Sequence, residues 1–168
     1  TGHSIAGAPV SEYCSLNRGE SPVGLMAISA PRQDAVDSGV GTGLTTVTAS
    51  GTAQGIVKRI SDDVPAGNDI WEVISLKPSD HVVAATECTD SDHLVFITSD
   101  AQLLHFPAHA VRPQGRSAGG MAGIRIATDA QVVFFGAVAP TATNVVATVA
   151  GSLGQLSGTG ASTIKLTD

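Results

Sequence analysis

Three arginines, Arg112, Arg116 and Arg125, fall in a stretch between Asp100 and Asp129 that contains no acid. Guanidinium groups on a loop, with no carboxylate nearby in sequence, can donate to phosphate oxygens without reading base sequence. The competing use is internal: Arg116 or Arg125 could brace a turn by donating to backbone carbonyls. Lys58-Arg59 closes an apolar run and Lys165 stands near the end of the chain. Neighbours on a strand face opposite ways, so at most one of Lys58 and Arg59 points along a given surface. The alternative for this pair is a solvated strand edge blunted by charge.

Other chemistry-bearing residues point to turns rather than sites. Gly115, Gly119, Gly120 and Gly123 lack the Gly-Lys-Ser/Thr of a phosphate loop and are accounted for by turn geometry. His105 and His109 are four apart, a metal-pair spacing only on a helix, and Pro107 lies between them. Asp62-Asp63, and Asp90 with Asp92, read as solvated turns, because no calcium-loop pattern surrounds them. Trp71 reads as an anchor for the segment it opens, with base stacking as the alternative. No G-x-S-x-G occurs. The expectation is therefore no catalytic residue and no metal ligand, with Arg112, Arg116, Arg125, Lys58, Arg59 and Lys165 as candidate phosphate-contacting cations.

The elements that must position these cations are strands. The 168 residues are 42% hydrophobic, 14% charged and 4% aromatic, rich in Gly, Ala, Ser, Thr and Val. That mixture suits short strands joined by many turns. No run of eighteen apolar residues occurs, so no transmembrane helix is expected. Thr1-Gly2-His3-Ser4 is no secretory signal and lacks an initiator Met, so the chain reads as a fragment. Cys14 and Cys88 make no disulfide framework, which points to a reduced, cytoplasmic setting. The net charge of −6 argues by itself against nucleic acid. Its distribution is uneven: residues 1–93 hold five Lys/Arg against twelve Asp/Glu, and residues 94–168 hold four against three. An acidic face opposite a locally basic one follows.

A repeat organises the chain. Leu16, Leu76 and Ile126 occupy the same place in three openings, each a short apolar strand, a polar turn and a second apolar strand. A hairpin follows each opening: residues 44–60 with a turn at 50–55, residues 94–106 with a turn at 99–101, and residues 144–156 with a turn at 151–154. Residues 31–43 read as a surface loop, and residues 108–111 as one helical turn. Continuous apolar runs such as 132–138 fit strands covered on both faces. The prediction is an all-β, propeller-like repeat of four-stranded blades, with about three blades in approximate units 11–64, 72–111 and 123–168, an incomplete ring.

Two motifs then suggest a family. Arg112-Pro113, Gly115-Arg116, Gly120-Met121 and Gly123-Ile124-Arg125 resemble the R-P-x-G-R-x-x-x-G-V-x-G-I-R-L connection between blades in the A subunits of DNA gyrase and topoisomerase IV. Thr52, Gly55 and Val57-Lys58-Arg59 resemble the T-x-x-G-x-V-K-R hairpin of the same proteins, and residues 94–104 match that hairpin in the next unit. The resemblance covers most of residues 11–168. It implies a β-pinwheel, a propeller relative with strands exchanged between blades, around whose rim DNA wraps. The segment would be the DNA-binding, DNA-bending module of a type IIA DNA topoisomerase A subunit. It would contact double-stranded DNA phosphates non-specifically and present the duplex to the enzyme's gate. Its partners would be the ATPase B subunit together with the rest of the A subunit, with no membrane. No cofactor is expected in this segment; ATP and Mg²⁺ belong to the holoenzyme, as does any isomerase activity. The Gln-rich basic box of gyrase is absent and the segment is acidic, which fits a topoisomerase IV-like pinwheel better. The alternatives are a protein-interaction scaffold that has lost DNA binding and, without a motif behind it, a hydrolase on a β-repeat scaffold.

Overall fold

The computed structural model describes residues 6–25, 47–60, 70–152 and 155–164. The loop expected at residues 31–43 and the acidic pair Asp62-Asp63 lie outside them. Strands β1 (Val47–Thr52) and β2 (Ile56–Ile60) form an antiparallel hairpin. Its turn is built by side chain and backbone together: Thr52 Oγ1 accepts from the Ile56 N–H at 3.1 Å, and Gly55 takes φ +82°. Strands β4 (His93–Thr98) and β5 (Leu103–Pro107) repeat this build. There Thr98 Oγ1 accepts from the Gln102 N–H at 3.0 Å, and Ala101 takes φ +63°. Superposing the two turns aligns Lys58 with Leu104 and Arg59 with His105. Strands β9 (Asn144–Ser152) and β10 (Gln155–Ile164) make the third hairpin.

Strand exchange joins the units. Strand β3 (Val82–Cys88) pairs with β1 of the preceding unit, Ala49 opposite Thr86. Strand β8 (Val132–Val138) pairs with β4, Phe96 opposite Phe135. Each of these two sheets is thus a hairpin of one repeat completed by the first strand of the next, in the orders β3-β1-β2 and β5-β4-β8. The crossing between sheets happens at a tight turn. The Asp92 carboxylate accepts from the Thr89 N–H at 2.7 Å and from Thr89 Oγ1 at 2.9 Å, and β4 leaves for the second sheet. On the free side of β2, two short strands complete the first blade: β6 (Pro113–Gln114), parallel, and β7 (Met121–Ala122), antiparallel.

The leading strands expected at residues 73–76 and 124–126 form no ladder. Their backbones instead make isolated bonds: Ser75 N–H to Ala118 O in the segment beside β2, and Ile124 N–H to Gly55 O in the β1–β2 turn. The helical turn expected at residues 108–111 is a 3₁₀ turn, Ala108–Ala110.

The two sheets pack face to face. Val47, Ala49, Val57 and Cys88 of the first meet Leu94, Phe96, Val132 and Phe135 of the second, closed by Ala108 and Val111 at the corner. The Phe96 and Phe135 rings lie 4.9 Å apart with planes tilted by 53°, an edge-biased pairing that adds about 1 kcal/mol beyond area burial. Phe135 lies on Gly51, where a Cβ would stand 2.4 Å from its ring. The sheets are also tied at the first turn, since Ala53 accepts from the Val132 N–H at 2.9 Å and donates to His81 O at 2.9 Å.

Candidate nucleic-acid interface

The segment that follows β5 runs along the outer edge of β2. Pro113 stands opposite Arg59 and Gln114 opposite Ile60; Met121 stands opposite Val57 and Ala122 opposite Ile56. The parallel register sets Arg112 beside Lys58 at the middle of β2, Arg116 in the turn that follows Gln114, and Arg125 beyond the Ile56 end. The connection that carries the three arginines thus runs along one sheet edge. Arg112 and Arg125 are exposed and Arg116 half-buried. The edge is thus decorated with cations that belong to the connection, not to the strand.

Close packing makes this connection a fixed structure. Gly120 has φ +80°, and a Cβ there would sit 2.7 Å from Val57 O and from Ile56 Cγ2. Gly123 lies under Phe96, 2.9 Å from where its Cβ would be, and its N–H donates to Gly55 O at 2.8 Å. Gly120 and Gly123 are where the chain touches β2 and the core, whereas a Cβ at Gly115 would meet nothing within 4 Å.

Lys58 and Arg59 are not rim residues. Lys58 is 0% exposed and Arg59 3%. The reason is that the connection crosses over the strand edge and covers both faces on which the pair projects. Lys58 Nζ donates to Arg116 O at 2.6 Å and to Ala118 O at 2.8 Å. Arg59 Nη1 donates to Ala108 O at 2.8 Å and to Val111 O at 3.1 Å, and its Nη2 pairs with the Asp90 carboxylate. Burial pushes the Lys58 ammonium below its usual range, with Glu72 opposing the shift. Lys165 lies outside the described residues.

The remaining candidates resolve into structural roles. Asp90 pairs with Arg59, and Asp92 caps its turn. His105 faces His93, Nδ1 to Nδ1 at 2.9 Å, and His109 Nδ1 lies 3.3 Å from Asp90 O. Among the described residues no three His, Cys, Asp or Glu converge as a metal set, and no helix is long and apolar enough to cross a membrane.

An all-β repeat with exchanged strands and an arginine-bearing inter-blade connection defines a class, the β-pinwheel. Residues 92–139 match the family model described as the DNA gyrase C-terminal domain, beta-propeller. The chain is 31% identical over 104 residues to the DNA gyrase A protein of Mycolicibacterium smegmatis, an alignment covering 60% of this chain and 12% of that protein. Its fold is similar to that of a DNA gyrase A C-terminal domain, with a TM-score of 0.60, 20% identity, and coverage of 78% of this chain and 40% of that one. It is also similar to the C-terminal domain of DNA topoisomerase IV, with a TM-score of 0.72, 17% identity, and coverage of 95% and 45%. The chain is thus similar in fold to the C-terminal domains of DNA gyrase A and topoisomerase IV, carries the gyrase C-terminal signature over residues 92–139, and spans about an eighth of the length of the gyrase A relative.

Proposed function

We propose that this chain is a DNA-contacting module of a type IIA topoisomerase A subunit, with Arg112, Arg116 and Arg125 donating to duplex phosphates. One observation carries the reading: an acid-free connection laid along the outer edge of β2 with its guanidiniums turned to solvent or half so. Phosphate contact of this kind is sequence-independent and depends on salt through counterion release. Lys165 remains a candidate on the family pattern. Bending would follow where successive blades offer cations along a curved path, at a cost of a few kcal/mol repaid by added contacts. The duplex would be presented to a gate in the rest of the A subunit, with ATP and Mg²⁺ used there and in the B subunit.

The test is binding to a linear duplex of about 150 base pairs, one persistence length, across a salt series. The comparison is Arg112→Ala/Arg116→Ala/Arg125→Ala. A steep fall of log K with log salt, flattened by up to about three contacts' worth in the triple variant, supports the reading. Folded protein with no binding at low salt removes it. The second reading, a protein-interaction scaffold, would then lead. It draws on the acidic net charge of −6 and on the exposed Leu103, Val133 and Phe134 of the second sheet.

A further inference from the structure

We infer that Lys58 and Arg59 are positioning residues that fix the arginine-bearing connection in place along β2, so that two buried cations determine where the exposed ones stand. The inference rests on the DNA-contacting reading above and adds to it which residues set the spacing of the contacts.

Adjacent strand residues project to opposite faces, and this pair uses both faces on one connection. Arg59 Nη1 holds Ala108 O and Val111 O, and Val111 immediately precedes Arg112. Lys58 Nζ holds the carbonyl of Arg116 itself, together with Ala118 O. Ser75 N–H reaches the same Ala118 carbonyl from another segment. Each clamp therefore grips backbone within one residue of a rim arginine. The hairpin alone does not ask for these cations. The second hairpin has the same turn, with Thr98 doing what Thr52 does, and carries Leu104 and His105 at the matching places. Burying a cation is costly unless its donors are satisfied, so the pair at β2 answers a demand made by the connection. A connection held in one conformation keeps its guanidiniums at fixed spacing, and phosphate contacts gain from such preorganisation because less is lost on ordering them.

The experiment uses the full chain with Lys58→Leu, chosen because the fold accepts leucine at the matching position, and with Lys58→Arg. Duplex binding is read across the salt series, alone and in the background of the triple arginine variant. The expected result for Lys58→Leu is about a tenfold loss of affinity at moderate salt and a slope shallower by about one phosphate contact, although all three arginines remain. Lys58→Arg should restore much of both. In the triple-variant background Lys58→Leu should add nothing. A Lys58→Leu chain that binds with unchanged affinity and slope, while the triple variant loses both, overturns the positioning role and leaves the DNA reading standing. A further loss in the triple background makes Lys58 a phosphate contact itself and also overturns it. If neither variant changes binding, the DNA reading fails and takes this one with it. Should Lys58→Leu not fold, amide exchange of the unaltered chain decides: protection across residues 112–122 present without DNA supports the clamp, and protection that arises only with DNA overturns it.

Discussion

At the scale of single residues, the described interior holds polar side chains among the apolar ones. Ser50, Thr52, Lys58, Arg59, His93 and Thr98 are all buried. Cys88 shares the Arg59 neighbourhood. Its thiol is pushed up to about 11, first by burial and against the pull of the Arg59 guanidinium, with the Asp92 and Asp90 carboxylates adding to the rise. The unfolded thiol titrates near 9.0, so the unfolded chain gives up its proton first as pH rises. The stability that Cys88 contributes is complete below about 9 and is lost as pH climbs towards 11. Urea midpoints at pH 8 and pH 10.5 should therefore differ more for the native chain than for Cys88→Ala. Alkylation should divide the two cysteines in the same sense: at pH 8 the exposed Cys14 should react and the buried Cys88 should not, until urea is added. Mass spectrometry that finds both labelled at equal rates in the folded chain would contradict this burial. The exposure of Arg112 and Arg125 was legible in the sequence, because their acid-free surroundings are local. It misled about Lys58 and Arg59, because the carbonyls that take them inward lie 49 to 60 residues away, beyond any spacing argument. The signal that could have found them is the unlike pair Leu104-His105 in the matching hairpin, which marks Lys58-Arg59 as an addition with a separate cause.

At the scale of elements, the hairpins are the legible units and the sheets are not. The first two hairpins are written locally, as apolar strands flanking a Thr-x-x-Gly or Thr-x-x-Ala turn. The pairing of β3 with β1 and of β8 with β4 is set by facing apolar surfaces, and nothing in a window of ten residues distinguishes a strand that closes its own unit from one that closes its neighbour. The leading strands at residues 73–76 and 124–126 are apolar enough to be strands, yet they make single bonds instead, Ser75 to Ala118 and Ile124 to Gly55. Turn geometry gives a paired prediction. Gly55 and Ala101 hold the same left-handed place at φ +82° and +63°. Left-handed backbone costs a residue with a Cβ about 1–2 kcal/mol, so Ala101→Gly should raise the urea midpoint by up to about 1 kcal/mol's worth after the entropy of the new glycine is subtracted. Gly55→Ala should do the reverse and more. Its Cβ would meet Ile124 O at 2.3 Å, a backbone atom with no rotamer to yield, so a loss of about 2–4 kcal/mol is expected. A Gly55→Ala chain as stable as the original would mean that Ile124 does not lie over this turn.

At the scale of the whole molecule, charge and blade geometry together limit how tightly DNA can be held. The first sheet presents an edge lined by Arg112, Arg116 and Arg125, whereas the matching edge strand of the second, β5, presents Leu103, Leu104 and His105. Among the described residues cations thus occur on the first blade's rim and not along β5, and the chain as a whole is acidic at −6. A duplex following the rim would meet about three phosphate contacts and then an apolar edge. Three contacts give a slope of about −2.7 in log K against log salt, so a fourfold rise in salt should weaken binding by roughly 40-fold and no more. Non-specific binding held by so few contacts should be micromolar or weaker at physiological salt, and a duplex gripped on one rim has no second point against which to be bent. The expected outcome is therefore weak, salt-sensitive binding in anisotropy and little change in end-to-end distance of the same duplex by energy transfer. A slope near three contacts with no bend fits a single-rim grip. A slope well above that, with bending, would require cations beyond these three, of which Lys165 is the first to substitute. The arginine spacing set along β2 would then be one station on a longer path around the pinwheel.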